Sequence, residues 1–233
     1  MSKIWAIGDL HLDHTKDKSM DIFGQDWKDH DQKIFDYWEN HVGKEDWVLI
    51  PGDISWALKW GEVFQDLKAL DQLPGEKVLS KGNHDYWWTS LKKMNEANFK
   101  SLHFIHNTAI QIQEGLYVAG SRGWIPRDAK DFDDKDEKIS LRENQRLKNS
   151  LDQVPPGNDI IAMIHYPPLL QSFEDSAYTK TLQDYPVKLC LYGHLHGAGH
   201  RFIYEGQKSG IQYTCVAADY LNFQCKEILW KEK

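Results

Sequence analysis

The sequence predicts an α/β fold built on a parallel or mixed β-sheet. Up to residue 80, short apolar runs alternate with longer segments whose apolar residues recur at helical spacing, which is the order expected when helices connect parallel strands. Further along, residues 159–164 and 187–192 are apolar over most of their length, as is typical of strands covered on both faces. Together these observations predict buried strands joined by helices.

The elements of the first half follow from this alternation. Strands are expected at residues 4–7, 47–50 and 77–80, and helices at 28–41 and 58–73. Pro74 and Gly75 end the second of these helices, because neither residue continues a helix well. The polar stretch 13–27 lacks any periodicity and is expected to be a long loop that borders the site.

The second half changes character and contains more strands. Strands are expected at residues 102–105, 109–113 and 116–119, and helices at 89–97, 139–151 and 177–184. A turn at Glu114 and Gly115 makes a hairpin of two of these strands, and the charged stretch 131–138 is expected to be a solvated loop. Residues 202–229 are expected to form antiparallel strands that close a second sheet. With neither an internal repeat nor a low-complexity linker, residues 1–233 are expected to form a single domain.

Composition restricts the classes of partner. The formal charge of −7 argues against nucleic acid, whose binding usually needs a basic face. It leaves room for a small phosphorylated substrate, because bound metal ions invert the local field. Since no apolar stretch approaches the roughly 20 residues that span a bilayer, no membrane partner is expected. The three scattered cysteines and the lack of a signal-peptide pattern predict reduced thiols and a cytoplasmic protein, while the oligomeric state stays open.

Residues able to bind a metal follow five of the apolar runs. They are Asp9 and His11, then Asp53, Asn83, His165, and finally His194 and His196. Ligands of parallel sheets gather beyond the carboxyl ends of the strands, and side chains two apart on extended backbone, such as Asp9 and His11, point the same way. The alternative is a set of solvated turn residues and core histidines whose hydrogen bonds are satisfied.

Five short motifs carry a resemblance to a known family. Asp9-x-His11, Gly52-Asp53, Gly82-Asn83-His84-Asp85, His165 and Gly193-His194-x-His196 occur in the order seen in calcineurin-like metallophosphoesterases, which the chain resembles from residue 8 to residue 196. The resemblance implies a four-layer α-β-β-α sandwich, in which two mixed sheets lie face to face between helices. It also implies a site for two metal ions at one end of the sheets.

The resemblance also implies which residues bind the metals. One ion would be held by Asp9, His11, Asp53 and His196, and the other by Asp53, Asn83, His165 and His194. Asp53 would bridge the two, which a carboxylate with its two oxygens can do. Nitrogen and oxygen ligands without cysteine suit Mn, Fe, Zn or Co better than Ca.

The activity implied is hydrolysis of a phosphomonoester or phosphodiester bond. A hydroxide bridging two divalent ions about 3.5–4 Å apart would attack phosphorus. His84 would lie beside the metals and protonate the leaving oxygen or stabilise charge there. Arg122 is a candidate contact for the phosphate, because a guanidinium matches phosphate oxygens; the alternative is a surface arginine after the hairpin.

The second motif departs from the pattern of the protein phosphatases. Those relatives continue it with an Asp that orients the catalytic histidine and then an Arg, whereas this chain has Trp56 and Ala57. The residue that orients His84 is therefore open, with Asp85 as its adjacent candidate. Tryptophans near the motifs either line a pocket for a flat group or pack in the core: Trp56, Trp60, Trp87, Trp88 and Trp124.

Three functions are compatible with the sequence. The first is a metal-dependent hydrolase of small phosphoesters, and the second is a protein phosphatase or nuclease of the same superfamily. The third is a non-catalytic scaffold on this fold, although the chain keeps every ligand of the motifs. Of the remaining histidines, His14 is a candidate for a position just outside the metal ligands, while His30 and His41 are expected at the surface.

Overall fold

The computed structural model describes residues 2–15, 20 and 24–230. Part of the loop predicted at 13–27 therefore lies outside the described residues. The helices are α1 (His30–His41), α2 (Phe64–Gln72), α3 (Leu91–Asn95), α4 (Asp134–Leu151) and α5 (Ala177–Gln183). The strands are β1 (Ile4–Ala6), β2 (Trp47–Pro51), β3 (Glu76–Ser80), β4 (Leu102–Phe104), β5 (Ala109–Gln113), β6 (Leu116–Ser121), β7 (Asp159–Ile164), β8 (Val187–Tyr192), β9 (Gly206–Lys208), β10 (Ile211–Cys215) and β11 (Lys226–Ile228).

The strands form two mixed sheets. The first has five strands in the order β11-β1-β2-β3-β4, with β1 to β4 parallel and β11 antiparallel at the edge. The second has six strands in the order β5-β6-β7-β8-β10-β9, with four parallel strands between two antiparallel edges. Parallel neighbours need crossover connections, which the helices provide.

Buried side chains from alternating strand positions divide the molecule into four layers. In β1, Ile4 and Ala6 pack against Ile161 of the second sheet, whereas Trp5 packs on the other face with Trp38 of α1. This alternation follows from the two-residue period of a strand. A third cluster lies between the second sheet and helices α4 and α5, where Leu147 and similar residues pack. The predicted α-β-β-α sandwich is therefore confirmed.

Helix α4 begins earlier than the sequence predicted. The charged segment 131–138, expected to be a solvated loop, contains the helix start at Asp134. The Asp133 side chain accepts hydrogen bonds from the backbone N–H groups of Lys135 and Asp136, and the Asp136 side chain accepts one from Asp133. This capping box satisfies the first N–H groups of the helix and favours negative charge at its N-terminus.

Helix α2 begins later than the sequence predicted, at Phe64 rather than near residue 58. The carboxylate of Glu62 accepts hydrogen bonds from the backbone N–H groups of Leu58 and Lys59. These bonds close a turn ahead of the helix, where the side chain of Leu58 is exposed. The segment from residue 58, predicted as the start of the helix, therefore forms this turn instead.

The C-terminal strands differ from the predicted antiparallel arrangement. Strands β9 and β10 do form an antiparallel pair, but β10 runs parallel to β8. Strand β11 leaves the second sheet and joins the first, where Ile228 pairs with Ile4. The connection crosses between the sheets near the end of β1, where the N–H of Gly8 donates to the carbonyl of Val216 over 2.6 Å.

The ends of five parallel strands meet at one edge of the sandwich. Strands β1, β2 and β3 of the first sheet and β7 and β8 of the second all lead to it. A hydrogen bond joins the two sheets there, because Nδ1 of His165 lies 3.0 Å from the carbonyl oxygen of Pro51. Among the residues described, no helix combines the length and apolar character needed to cross a membrane.

Candidate metal centre

Acidic and histidine side chains from both sheets converge at this edge. Two groups each bring three potential ligand atoms within 4.8 Å of one another, and Asp9 belongs to both. The first group adds His11 and His196, and the second adds Asp53 and His165. Four of these five residues are buried and His196 is half-buried. Residues from sequence positions as distant as 9 and 196 are thus brought together.

The two carboxylates lie between the histidines. Oδ2 of Asp53 is 3.7 Å from Nε2 of His11 and 3.5 Å from Nε2 of His165. Oδ1 of Asp9 is 3.6 Å from Nε2 of His196 and 3.8 Å from Nδ1 of His165. Burial, together with the charges of Asp85 and Asp9, raises the pKa of Asp53 well above its ordinary value. Nearby divalent cations would stabilise the ionised carboxylate and lower this pKa again.

The side-chain oxygen of Asn83 faces two histidine nitrogens. It lies 2.7 Å from Nε2 of His165 and 2.9 Å from Nδ1 of His194. Burial lowers the pKa of both histidines to about 3, so each ring is neutral and carries one N–H. In His165 that hydrogen is on Nδ1, because the carbonyl oxygen of Pro51 can only accept.

The lone pair on Nε2 of His165 is consequently directed at oxygens that cannot all be its partners. Asn83 presents its amide oxygen and Asp53 a carboxylate oxygen to the same nitrogen. Lone pairs that face one another across this distance repel unless a proton or a metal cation lies among them, and one proton cannot serve all three residues. The donor set therefore fits a metal ion, and its mixture of nitrogen and oxygen atoms suits a transition metal.

A carboxylate that the sequence analysis missed holds His196. Oδ1 of Asp219 lies 2.8 Å from Nδ1 of His196, and the other oxygen accepts from the backbone N–H of Gly197 at 3.1 Å. Nε2 of His200 is 3.2 Å from the same carboxylate. Burial by itself would lower the pKa of His196, but the hydrogen bonds to Asp219 and Asp9 outweigh it and raise that pKa to about 10. Asp219 follows β10 at the same edge, so the rule that located the other ligands applied to it as well.

Asp9 and His11 do converge, but not on extended backbone as the sequence predicted, because the backbone at the site is held in an unusual conformation. The φ angles are positive at Asp9 (57°), His11 (46°), Asp53 (51°) and His194 (71°), a region that residues other than glycine occupy infrequently. Backbone hydrogen bonds hold these residues: the N–H of Asp9 donates to Gly52 and that of His11 to Asp53, each over 3.0 Å. Such strain is concentrated at functional sites in proteins.

Two glycines allow carboxylates to lie against the backbone. A Cβ atom on Gly82 would lie 2.1 Å from Oδ1 of Asp53, and one on Gly193 would lie 2.1 Å from Oδ2 of Asp9. In the space these glycines leave, Oδ1 of Asp53 accepts from the N–H of His84 at 2.8 Å. Both oxygens of Asp9 lie 3.0 Å from the N–H of His194. The glycines of the motifs are therefore required by the carboxylates themselves.

His84 lies beside these residues and contacts an aromatic ring. Its ring centroid is 4.3 Å from that of Trp56 and 5.6 Å from that of His11. Trp56 in turn stacks on His11 at 4.8 Å, with 24° between the planes. Trp56 stands where protein phosphatases have the orienting Asp, and here its ring contacts both the catalytic candidate His84 and the metal-ligand candidate His11.

Asp85, the other candidate to orient His84, forms hydrogen bonds to two loops of the site. One oxygen accepts from the N–H groups of Ile54 and Ser55 and from Nε1 of Trp87, and the other accepts from the N–H of Gly82 at 2.7 Å. Burial raises its pKa to about 6, although these hydrogen bonds lower it. Asp85 therefore joins the loop after β2 to the loop after β3.

Arg122 is less open to solvent than a surface arginine. Its Nη2 lies 3.2 Å from the buried carboxylate of Glu143, and its guanidinium lies 4.4 Å from the ring centroid of Trp124. The assignment of Arg122 to phosphate binding stays a prediction. Of the other tryptophans, Trp87 and Trp88 are buried and belong to the core of the first sheet.

Two further histidines stabilise loops around the site. His30, predicted at the surface, is half-buried, and its Nε2 lies 3.0 Å from the carbonyl oxygen of Leu10, between Asp9 and His11. That prediction was wrong because the first turn of α1 packs against the loop after β1. His14 contacts Asp66, whose other oxygen accepts from the hydroxyl of Ser55, while His41 is exposed as predicted.

Parts of two phage proteins are similar to this chain. The Gene 66 protein of Mycobacterium phage D29 is 42% identical over 90 residues, and that of Mycobacterium phage L5 is 36% identical over 85 residues. Each match takes in 36% of this chain and 41% of the phage protein. The matched part is thus less than half the length of either relative.

A solved structure and a sequence profile cover far more of the chain. The phosphopantetheinyl hydrolase PptH of Mycobacterium tuberculosis has a similar fold, with a TM-score of 0.61 over 99% of this chain and 96% of that one. At 13% identity the likeness is one of fold. The profile of calcineurin-like phosphoesterases matches residues 2–198, which include all five motifs and both groups of potential metal ligands, while Asp219 lies beyond the match. The chain therefore belongs to the calcineurin-like phosphoesterase family.

Proposed function

We propose that this protein is a phosphohydrolase that uses two divalent metal ions to cleave a phosphomonoester or phosphodiester bond in a small substrate. The observation that carries the proposal is the set of opposed lone pairs around Asn83, His165 and Asp53. Without a cation, a proton on Asp53 can satisfy one of these contacts, which agrees with its raised pKa, whereas a cation satisfies all of them at once. Membership of a phosphoesterase family supports the same chemistry.

Seven side chains would hold the ions. Asp9, His11, Asp53 and His196 form one set, and Asp53, Asn83, His165 and His194 form the other. The position of Asp53 Oδ2 between His11 and His165 supports its assignment as the bridging carboxylate. Mn, Fe, Zn and Co suit these ligands. The donors come from both sheets and from residues 9 to 196. We therefore also propose that residues 1–233 form a single domain.

The catalytic roles divide between the ions and the protein. When bound, a pair of divalent ions polarises the phosphoryl group and lowers the pKa of water. The protein keeps the ligand atoms fixed in advance, through the hydrogen bonds that the ligand histidines donate to Pro51 and Asp219. Fixed ligands reduce the reorganisation required during reaction.

His84 would act on the leaving group. Its backbone N–H donates to Asp53 and its ring packs against Trp56, so it is held beside the metal ligands without being one of them. We assign it to protonating the leaving oxygen or stabilising charge on that oxygen. Trp56, rather than an Asp, is the residue that we propose orients the ring.

The absence of the Asp-Arg continuation at Trp56 and Ala57 disfavours a protein phosphatase, and the charge of −7 disfavours a nuclease. We therefore favour a small phosphorylated substrate. Even so, the proposed site is locally positive when loaded, because two divalent cations exceed the charge of Asp9 and Asp53 by a formal +2. This surplus would attract a phosphate to an acidic protein.

Titration of Mn²⁺ into metal-free protein tests the proposal, with p-nitrophenyl phosphate and bis(p-nitrophenyl) phosphate as substrates. We expect hydrolysis of at least one of them to rise with metal and saturate near two ions per chain, and Asp53→Asn to abolish it. Preference for one ester identifies the bond type. Two bound ions without hydrolysis of either ester would instead support the scaffold, and failure to bind metal would contradict the proposal altogether.

A further inference from the structure

A polar pocket lies next to the candidate metal centre. Its walls include Ser80 and Lys81 at the end of β3, Asn107 after β4, Arg122 after β6, and Arg146 on α4. We refer to these five residues, together with His106 and Glu143, as the basic pocket. Of the residues in the basic pocket, Arg122 is the one for which the sequence predicted a role in binding substrate.

The topology fixes where the basic pocket lies. The metal-binding candidates follow β1, β2 and β3 in the first sheet and β7 and β8 in the second. The pocket follows β3 and β4 in the first sheet and β6 in the second. It is therefore displaced by one strand in the same direction in both sheets. Neighbouring strands are about 4.8 Å apart, so the pocket lies roughly 5–10 Å from the metal centre.

The pocket carries an excess of positive charge. Lys81, Arg122 and Arg146 face a single carboxylate, that of Glu143, which lies 3.2 Å from Arg122 and 2.8 Å from Arg146. His106 is neutral, because burial and the charges of Arg146 and Lys81 lower its pKa. Among the residues that line the pocket, two positive charges remain uncompensated. In a partly buried site this imbalance favours an anion.

Polar atoms in the pocket also lack partners. Within the described part of the chain, no hydrogen-bond partner reaches Oγ of Ser80 or Nε of Arg122. Ser80 is 1% exposed, so its hydroxyl cannot turn to solvent. Buried polar groups are nearly always hydrogen-bonded. A hydroxyl and a guanidinium N–H on the walls of one pocket are the donors that an oxyanion requires. Oδ1 of Asn107, a third pocket atom without a partner among the described residues, would accept from a bound water or a protonated oxygen of the anion.

The dimensions of the pocket limit what can enter. Its volume is about 10 Å³, which accommodates a single water-sized group. The side chain of Arg146 is 35% exposed, so the pocket is open on that side. A tetrahedral oxyanion would therefore place one oxygen between Ser80 and Arg122 and keep its other oxygens near Lys81 and Arg146.

We propose that the basic pocket binds a second phosphoryl group of the substrate, which makes the substrate class organic bisphosphates. The inference rests on the proposed function, because the first phosphoryl group is assigned to the metal centre. The displacement of one strand spacing disfavours diphosphates, whose phosphorus atoms share one bridging oxygen and lie closer together than about 4.8 Å. It favours a short carbon skeleton between the two groups. The pocket contributes binding and specificity rather than catalysis.

Kinetics on a matched pair of substrates test the proposal. We compare the metal-loaded protein on propyl phosphate and on 1,3-propanediol bisphosphate by measuring released phosphate. We expect kcat/KM for the bisphosphate to be about tenfold higher, and Arg146→Met or Lys81→Met to remove most of that preference. Arg142→Met removes the same charge from an exposed position of α4 and keeps the preference. A preference near one, or one that survives both pocket variants, overturns the inference.

A second measurement separates this inference from the proposed function. Crystals of the metal-loaded protein are soaked in selenate, whose selenium gives an anomalous signal. We expect a peak beside Oγ of Ser80 and Nε of Arg122 that is lost in Arg146→Met. If neither monoester is hydrolysed, the proposed hydrolysis of phosphomonoesters fails, and this peak still decides whether the pocket binds oxyanions. Hydrolysis of both substrates without a peak there leaves the function standing and rejects the pocket.

Discussion

Nδ1 of His196 lies 2.8 Å from Oδ1 of Asp219, a residue that follows β10 and reaches the metal centre from the connection between the two sheets. Since a carboxylate can only accept here, Nδ1 carries the hydrogen and Nε2 is directed at Asp9, 3.6 Å away. Because the pKa of His196 is raised, Nε2 also carries a hydrogen in the metal-free protein, and a metal ion would replace it. Asp219 holds the ring so that Nε2 is already directed at the site. We therefore assign Asp219 as a positioning residue for His196.

Replacement of this carboxylate tests that role. We expect Asp219→Asn to lower metal affinity about 10- to 100-fold, because such outer partners typically contribute that much. Metal content after dialysis and a competition titration against a chelator measure it without relying on turnover. Asp131→Asn removes the same charge from an exposed segment and should leave the affinity unchanged. Equal affinity in Asp219→Asn and the parent protein would refute the assignment.

Asp219 also shows where the sequence was sufficient for prediction and where it was not. Parallel strands with both faces buried are apolar runs whose polar ends stand out, so Asp9, Asp53 and His165 were identified from their position alone. Residues 202–229 were expected to be antiparallel, which placed no strand end near the site. The parallel pairing of β10 with β8 depends on contacts between distant residues, and those contacts bring Asp219 to the shared edge.

Local chemistry explains the other departures from the predicted structure. Helix α4 starts at a capping box between Asp133 and Asp136, which hydrophobic periodicity cannot register. His30 was assigned to the surface because its neighbours are polar, yet its ring contacts the carbonyl of Leu10. The four-layer arrangement was predictable from the family resemblance, whereas pairings such as Trp56 with His84 depend on side-chain packing.

The close approach of Gly193 to Asp9 makes a second prediction. An added Cβ would lie 2.1 Å from Oδ2 of Asp9, and the carboxylate would have to leave the N–H of His194. We expect Gly193→Ala to bind metal weakly and to lose roughly 1–3 kcal/mol of unfolding free energy. Metal titration and chemical denaturation measure the two effects. Gly61→Ala, where nothing lies within 4 Å, is the control and should change neither by more than about 0.5 kcal/mol.

Replacement of His84 should reduce turnover without reducing metal binding. We expect His84→Ala to retain both ions while kcat falls about 10²- to 10⁴-fold, the usual contribution of a general acid. The physical reason is that its ring packs against Trp56 and lies beside the ligands, while its backbone N–H, which the substitution keeps, donates to Asp53. His41→Ala, on the exposed face of α1, serves as the matched control. Full turnover in the His84 variant would show that the leaving group is protonated elsewhere.

The three cysteines should be chemically silent in the folded protein. Cys190, Cys215 and Cys225 are buried, and burial raises the pKa of each thiol well above its ordinary value. Thiolates are the reactive form, so we expect labelling by a disulfide reagent to proceed only as fast as the protein unfolds. An added cysteine at exposed Glu96 provides the fast reference. Labelling of the native thiols at that reference rate would contradict their burial.

Lys77 gives a prediction about pH and stability. Its ammonium group is fully buried on β3, donates to the carbonyl of Leu73, and lies 2.9 Å from the hydroxyl of Ser101. Burial lowers the pKa of Lys77 to about 8, while Asp71 and Glu76 partly oppose this. Between pH 8 and about 10.4 the unfolded chain keeps a proton that the native state has released. The burial of the Lys77 ammonium therefore lowers the unfolding free energy by its full amount below pH 8, and this destabilisation fades as the pH rises.

Tyrosines and cysteines also titrate in alkali. The effect of Lys77 on stability must therefore be measured as a difference between the parent protein and a Lys77 variant. We expect the unfolding free energy of the parent protein, minus that of Lys77→Met, to increase by about 2 kcal/mol between pH 7 and pH 9.5. Urea denaturation at several pH values in this range gives both terms under identical conditions. The same subtraction with Lys44→Met, at an exposed position, should be flat. A flat difference for Lys77→Met would mean that the buried ammonium keeps its ordinary pKa, and that its hydrogen bonds to Leu73 and Ser101 fully replace hydration.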